Sequence, residues 1–317
     1  MSIVTVNRAI VPTLWPAGLG RPDTTSFSAQ VDGSPLFVPE TEDAMCDWAM
    51  VATDDVDDPH AQRWRRHLLY KTGEWEGETI VVVMQGYVAK QEIRVLGNWT
   101  GKEEDAARAK QTLTLVSGGC GVPFDAQRRS LADIRAFISA KVGQEVDRGA
   151  EALNEITLER DVFTKVRATD DRLSEQRVPL NEFNDPRGRA RKIAARWYID
   201  HVVETGMRRP NGENHPISAD ALRVGDFVEV SITANIRVLA SRKRHGCVIR
   251  FAMEEVVRLW TREQANALFV RPDVEDIPKP GGVPRVTRRS VFGIGVRKTG
   301  AVLVSGEQGG EEVMDEK

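Results

Sequence analysis

Apolar and polar residues alternate along two long stretches of the chain, residues 228–238 and 247–259. A period of two places successive side chains on opposite faces of an extended chain, which predicts two β-strands. The basic, glycine-containing segment 242–246 lies between them. The sequence therefore predicts one long antiparallel hairpin. The alternation breaks at Glu255, which indicates a bulge or a strand end.

Weaker patterns predict that the fold is α+β and mainly β. Residues 130–142 begin with a serine followed three positions later by an acid, and apolar residues then recur at helical spacing, which predicts a helix that ends at Gly143. Residues 102–110 fit a short charged helix, and residues 152–167 fit either a strand or a helix. The density of β-branched residues predicts further strands at residues 79–88, 92–96 and 112–116.

Composition divides the chain into three parts. Residues 1–60 are rich in proline, glycine and acids, and we expect an extended N-terminal arm, packed on the domain or partly disordered, with short strands near residues 28–31 and 36–38. Residues 61–270 carry the periodic patterns and are expected to form a single α+β domain. Residues 271–317 begin with a Pro- and Gly-rich linker and end in an acidic run, which is typical of a flexible tail.

The sequence predicts an intracellular protein, nuclear or cytoplasmic. Its longest strongly apolar run, residues 80–84, is far shorter than the roughly 20 residues of a membrane-spanning helix. The N-terminus lacks the basic and then apolar regions of a secretory signal. The three cysteines, Cys46, Cys120 and Cys247, lack the spacing of a disulfide framework or a zinc site, so we expect reduced thiols.

The charge is unevenly distributed. The whole chain has a net charge of −3, yet residues 187–298 contain 22 Lys and Arg against 12 Asp and Glu. A basic segment within an acidic chain is typical of a polyanion-binding protein. It is equally consistent with a solvated face that acidic neighbours balance in the folded protein.

Cations and aromatic rings are concentrated just after a predicted loop at residues 181–188. Single-strand binding proteins use such a composition, because cations follow the phosphates and rings stack on bases. The alternative is an amphipathic segment in which Trp197 is buried. The candidate contact residues here are Arg187, Arg189, Arg191, Lys192, Arg196 and Trp197.

No complete motif for catalysis, metal binding or cofactor binding occurs in the chain. The nucleophile elbow and the His-Glu-x-x-His zinc motif are both absent, and His201 and His215 fit surface or core positions better than catalytic ones. The glycine-rich segment 117–123 is not followed by the Lys-Ser/Thr pair of a phosphate-binding loop. We therefore expect a non-enzymatic protein without a metal ion or cofactor.

The first predicted strand of the hairpin begins with the segment Leu222-Arg223-Val224-Gly225-Asp226-Phe227-Val228-Glu229-Val230. The basic loop follows, and the second strand ends in Val257-Arg258-Leu259-Trp260. This stretch resembles OB-fold single-stranded DNA-binding proteins. With the upstream Asn184-Asp185-Pro186-Arg187-Gly188 it also resembles uncharacterised proteins of mushroom-forming (basidiomycete) fungi. The resemblance covers residues 181–262 and rests on short motifs. It implies an antiparallel OB-like barrel or curved sheet, with a few helices and extended termini.

These observations lead to one hypothesis and one alternative. The hypothesis is single-stranded nucleic-acid binding, with Arg237 and Arg250 on a concave face and Arg242, Lys243 and Arg244 clamping the backbone of the nucleic acid. The alternative is a protein-interaction scaffold in which the same hairpin presents an edge strand or the charged segments pair with a partner. An acidic C-terminus is also a feature of some single-strand binding proteins, and residues 311–317 are expected to occupy the groove or to recruit a protein partner.

Overall fold

The computed structural model describes residues 1–21, 36–53, 65–143, 154–166, 177–241 and 244–270. These residues form a mainly β, α+β fold around one open, curved sheet that does not close into a barrel, as the sequence predicts for the fold class. A smaller sheet has two strands. The predicted strand near residues 28–31 and the predicted tail at 271–317 lie outside the described residues.

The strands of the described residues fall into two groups along the chain. The first group is β1 (Ser2–Val6), β2 (Ala9–Ile10), β3 (Phe37–Val38), β4 (Ala49–Thr53), β5 (Arg65–Tyr70), β6 (Val82–Glu92) and β7 (Lys110–Val116). The second group is β8 (Glu155–Asp161), β9 (Thr164–Lys165), β10 (Trp197–Tyr198), β11 (Glu204–Arg208), β12 (Asn214–Pro216), β13 (Phe227–Ser241) and β14 (Arg244–Trp260).

Within the described ranges the helices are, with one exception, short. The α-helices are α1 (Val11–Leu14), α2 (Glu42–Trp48), α3 (Gly121–Val142), α4 (Arg189–Ile193) and α5 (Arg262–Val270). Short 3-10 turns occupy Pro16–Gly18, Glu103–Arg108 and Ala219–Ala221. The second of these lies within the predicted charged helix.

The predicted hairpin is the centre of the sheet. β13 and β14 pair antiparallel from Phe227↔Trp260 to Ser241↔Arg244. On its other edge β13 pairs first with β6, through Phe227 to Ile232, and then with β5, through Ile236 and Arg237. β14 also pairs in parallel with β11. The hairpin therefore joins strands from both halves of the chain into one sheet.

Side chains on both faces of the first half of β13 are buried. The alternating apolar residues that begin β13, including Val228, Val230 and Ile232, have no exposed surface. Glu229, on the opposite face, is also buried. Its carboxylate accepts hydrogen bonds from Arg208 Nη2 at 2.9 Å and from Gln85 Nε2 at 2.8 Å. A buried carboxylate is tolerated when its oxygens are paired in this way.

The beginning of the N-terminal segment is part of the main sheet, which goes further than an arm packed on the domain. β1 lies in the main sheet, parallel to both β3 and β6, and Ser2 to Val4 are buried. Trp15 is also buried, with its ring edge-to-face against Phe227 at 4.9 Å between centroids. Average composition conceals such short apolar segments, because the surrounding prolines and acids dominate it.

Helix α3 starts nine residues before the predicted serine, at Gly121, and ends at Gly143 as predicted. Gly143 has φ of +65°, the left-handed conformation that glycine adopts without a steric cost. Pro123 is compatible with the first turn, where its missing N–H group loses no helical hydrogen bond. Gly86 on β6 lets Phe124 pack closely, because a Cβ there would lie 3.3 Å from the ring.

Helix α3 also fills a gap at the edge of β6. β1 pairs with β6 at Val82 and Val83, and β7 pairs with it only from Tyr87 onward. Between them the side-chain amide of Gln127 accepts a 2.6 Å hydrogen bond from Gln85 N and donates a 2.8 Å bond to Gln85 O. The amide thus satisfies two buried backbone groups that would otherwise lack partners.

Among the described residues, no helix combines the length and apolarity needed to cross a membrane. Cys46, Cys120 and Cys247 are free thiols, as the spacing predicts.

The core position of Ile232 makes the hairpin testable by stability. Replacing Ile232 by Ala should lower the free energy of unfolding by about 2–4 kcal/mol, because its side chain is fully buried in β13. Denaturant titration measures the loss. The control is Val224→Ala, at a position 57% exposed, for which we expect a change within about 0.5 kcal/mol. Equal, small losses for the two variants would contradict the placement of Ile232 in the core.

Candidate nucleic-acid interface

The far end of the hairpin gathers two basic segments from distant parts of the sequence. We call this end the hairpin arm; it comprises residues 236–241 of β13, residues 244–250 of β14 and Arg65 and Arg66 of β5. The backbone register pairs Arg66 with Ile236 and Arg65 with Arg237. The β13–β14 ladder continues to Ser241↔Arg244. Two of the predicted clamp residues, Arg242 and Lys243, lie outside the described residues, and the side chains of Arg65 and Arg244 are not described.

Arg66 lies on the same side of the hairpin arm as Cys247. Its register partner Ile236 belongs to the buried face, and Cys247 is fully buried on that face. Burial raises the pKa of the Cys247 thiol, and the positive charge of Arg66 acts in the opposite direction. The backbone pairing with Ile236 places Arg66 at the hairpin arm.

Arg237 and Arg250 form ion pairs with strand β8. Both guanidinium groups bond to the Asp161 carboxylate, Arg250 through Nη1 at 3.3 Å. Arg250 Nε also lies 3.4 Å from Glu159 Oε2, which accepts a 2.6 Å hydrogen bond from Lys110 Nζ. The two arginine side chains remain 34% and 32% exposed. Three cations and two carboxylates leave this cluster with only a small positive charge.

The second group of predicted residues surrounds a buried carboxylate. Asp185 is 1% exposed, and its two oxygens accept hydrogen bonds from the backbone N–H groups of Arg189 and Arg191, each at 2.9 Å. Gly188, with φ of +61°, turns the chain into α4. The carboxylate therefore fixes the start of α4 relative to the preceding loop, because it bonds to the N–H groups that the helix leaves unpaired.

Helix α4 is amphipathic, so its cations face outward. Ala190 and Ile193 are buried, whereas Arg189, Arg191 and Lys192 are exposed. The buried side belongs to a second, smaller apolar core. Its buried residues are Ala106, Ala109, Val162, Phe163, Ala190, Ile193 and Ile199.

Three of the cations in this segment have internal partners. Arg189 Nη1 donates to Thr100 O at 3.2 Å, and Arg196 pairs with Glu103. Arg191 Nε lies 3.7 Å from an Asp185 oxygen. Arg187 and Lys192, which are both exposed, have no ion-pair partner within the described part of the chain.

The aromatic side chains of this segment are less exposed to solvent than its cations. Tyr198 is buried, and Trp197 is partly buried against the second core. Both belong to β10, which pairs antiparallel with β9 through Trp197↔Lys165 and Tyr198↔Thr164. The buried alternative for Trp197 therefore agrees with the structure better than an open stacking surface, although its predicted contact with nucleic acid stays a prediction.

The bulge predicted near Glu255 is present and adds one residue, Glu254. Ser231 pairs with Glu255 and Ile232 with Met253, so Glu254 is left over. Its carboxylate accepts a 2.7 Å hydrogen bond from Thr233 Oγ1 and pairs with Arg160. The same carboxylate lies 3.4 Å from His201 Nε2. The extra residue thus links β8 and the chain before β11 to the hairpin.

His201 is held largely out of solvent at this bulge. Burial lowers the pKa of His201, and the positive charge of Arg160 lowers it further; Glu254 and Asp200 oppose these effects. The imidazole is therefore neutral at pH 7. Within the described residues, no group of three or more His, Cys, Asp or Glu side chains is arranged to hold a metal ion.

Sequence reasoning missed two features of the candidate interface. The first is the pairing of Arg65 and Arg66 with the hairpin, which depends on a long-range strand contact. The second is Phe183, which is 99% exposed on the loop before α4. The cluster of turn-forming residues around Phe183 in the sequence was the signal that the ring stands on a loop.

No protein-family model matches this sequence, and no curated protein matches it either. Solved structures give matches at 13–14% identity to the single-stranded DNA-binding protein from bacteriophage Enc34. Its C-terminal truncation matches with a TM-score of 0.27, covering 61% of this chain and 88% of that chain. Its complex with ssDNA matches with a TM-score of 0.25, covering 66% and 95%. A similarity at this level carries no argument about fold or function.

The lowered pKa of His201 predicts a specific loss of stability in acid. In the unfolded chain the imidazole takes up a proton as the pH falls below about 6.5, whereas in the folded protein it resists protonation to a lower pH. The free energy of unfolding should therefore decrease through this window and level off below the folded pKa.

The variant His201→Gln should lose that part of the pH dependence. Denaturant titrations between about pH 7.5 and about pH 5 measure it, and the comparison with the parent removes the contribution of other titrating groups. Parallel pH curves for the two proteins would contradict a buried, neutral His201.

Proposed function

We propose that this protein is a non-enzymatic, single-stranded nucleic-acid-binding protein whose hairpin arm contacts the phosphates. The observation that carries the proposal is the convergence of two basic segments at one end of the sheet. The backbone of Arg65 and Arg66 in β5 pairs with Arg237 and Ile236 of β13, and the β13–β14 ladder continues to Ser241↔Arg244. In the sequence, the basic residues 242–244 stand at that same end of the hairpin. Cations gathered from distant segments onto one end of a fold are the electrostatic feature that a polyanion recognises.

The strand connections support an OB-like reading of this site. An OB fold is a partly open, five-stranded Greek-key barrel that binds oligonucleotides with its second and third strands and with the loops after strands one and four. Here β6, β7, β8, β13 and β14 follow in chain order, with ladders β6–β7, β7–β8, β6–β13 and β13–β14. In that order the loop after the fourth strand is the basic turn of the hairpin arm.

The contact between β8 and β14 is consistent with this arrangement. Arg160 Nε donates a 2.7 Å hydrogen bond to Met253 O across the opening between the two strands. A partly open barrel has such an opening rather than a continuous ladder. The side chains of Arg160 and Glu254 also pair there, so the curvature of the sheet is held by polar contacts.

We assign different roles to the predicted contact residues. Arg242, Lys243 and Arg244 would contact phosphates directly, as would Arg187 and Lys192 beside and within α4. Arg189, Arg191 and Arg196 would contact phosphates only by sharing or leaving their internal partners. Arg237 and Arg250 would reach a phosphate only by sharing or leaving the Asp161 carboxylate. Trp197 would contribute mainly through packing, because it contacts the second core.

The scaffold alternative also has one observation in its favour. β14 pairs with β13 along residues 244–253, and no strand in the described ranges forms a ladder on the other edge of that stretch. An unpaired edge can accept a strand from another protein. On this reading the basic turn selects an acidic partner and the protein has no measurable affinity for oligonucleotides.

Binding to a fluorescent oligothymidylate, followed by anisotropy over a salt series, tests the proposal. The parent should bind, and the triple variant Arg242→Gln, Lys243→Gln, Arg244→Gln should bind more weakly. Its log–log salt slope should be smaller by about 2, because each lost phosphate contact on a single strand removes about 0.7.

A charge-matched control separates local contact from net charge. The variant Lys90→Gln, Arg129→Gln, Arg209→Gln removes three exposed cations from β6, α3 and the turn before β12, and should retain most of the salt slope. A parent that fails to bind at low salt rules out nucleic-acid binding and leaves the scaffold. Equal slopes for the parent and the hairpin variant would place binding away from the arm.

A further inference from the structure

Phe183 is an exposed aromatic ring on a firmly held loop. It is 99% exposed, whereas Phe37, Phe124, Phe137, Phe163, Phe227 and Phe251 are all at most 6% exposed. Burying a phenylalanine contributes about 1.5–3 kcal/mol, a gain that this position forgoes in the isolated protein. A single exposed apolar residue is ordinary on a protein surface. Exposure of the ring therefore indicates a binding site only together with the residues around it.

Hydrogen bonds within the loop keep Phe183 in place. Asn181 Oδ1 accepts hydrogen bonds from the backbone N–H groups of Phe183, at 2.8 Å, and Asn184, at 3.1 Å. Asn184 Oδ1 accepts from Asn181 N at 2.8 Å, and its amide nitrogen donates to Pro179 O at 2.9 Å. The exposure of the ring is therefore a property of an ordered loop and not of a loose one.

The surroundings of this loop are basic. Asp185 N donates to Asn181 O at 2.9 Å, which ties the loop directly to the Asp185 carboxylate that holds α4. That carboxylate is buried and already bonded to backbone N–H groups, so Glu182 is the one exposed acid between residues 181 and 196. Arg187 and Lys192 follow on the exposed side.

We propose that Phe183 is a stacking platform for one unpaired base, with Arg187 and Lys192 contacting the adjacent phosphates. This inference rests on the proposed nucleic-acid binding and names a second contact site for the same strand, separate from the hairpin arm. Stacking requires an accessible ring face, and cations next to that face hold the sugar–phosphate backbone. The loop supplies the exposed ring of Phe183, and the adjoining α4 segment supplies the cations.

The size of the apolar surface favours a base over a protein partner. Protein interfaces bury about 800 Å² on each side around an apolar centre. In the described part of the chain the other exposed large apolar residues are Val122, in the first turn of α3, and Val224, in the turn before β13. A single exposed ring, with exposed cations four and nine residues further along the chain, suits one nucleotide better than a protein interface.

The test compares parent, Phe183→Ala and Phe183→Trp on two ligands of equal length, an oligothymidylate and its abasic deoxyribose-phosphate analogue. On the oligothymidylate, Phe183→Ala should weaken binding on the order of 5- to 100-fold, and Phe183→Trp should restore it. On the abasic ligand, the three proteins should bind equally, because no base is present to stack. Val224→Ala, the matched control, should bind both ligands as the parent does.

The outcomes separate this inference from the proposed function. If the parent binds neither ligand at low salt, the proposed function itself fails. If the parent binds the oligothymidylate and Phe183→Ala binds equally well, nucleic-acid binding stands and the stacking role is overturned. A loss of the same size on the abasic ligand would also overturn it, because the ring would then act through the backbone or through folding. Variant Arg187→Gln, Lys192→Gln should weaken binding to both ligands.

Discussion

The structure depends on the length of β13, because one strand supports two successive neighbours on the same edge. Its first half pairs with β6 and its second with β5, while β14 follows it on the other edge throughout. Shifting this register by one residue would exchange the buried and polar faces of the hairpin. Glu229 would then face the main core, and Val230 would no longer pack in that core. The positions of β5, β6 and β14 in the main sheet follow directly from their pairing with β13.

Ion pairing determines which part of the positive charge can meet a ligand. Asp161 and Glu159 neutralise much of Arg237, Arg250 and Lys110, and Glu103 pairs with Arg196. Surface pairs of this kind contribute little stability, about 0–1 kcal/mol each, so their main effect is on the distribution of the electrostatic field. The excess of cations in the sequence therefore overstates the charge that the folded protein presents.

The sequence was sufficient for elements with a strong local period and insufficient where distant segments meet. Alternation predicted the β13–β14 hairpin and the break near Glu255, and the positive-φ residue Gly143 marked the end of α3. The early start of α3 was missed because Pro123 and its neighbouring glycines indicate a break equally well. The pairing of β5 with β13 and the exposure of Phe183 are set by tertiary contacts, which no local pattern encodes.

The ion pairs of Asp161 affect where a bound nucleic-acid strand would contact the hairpin. Because Asp161 shares its carboxylate between Arg237 and Arg250, the part of the hairpin beside β8 carries little net charge. In the proposed binding mode, a strand would therefore be held at two separate places, the basic residues 242–244 and the loop of Phe183, and not along the paired strands. Separate contacts of this kind leave the nucleotides between them accessible to other proteins.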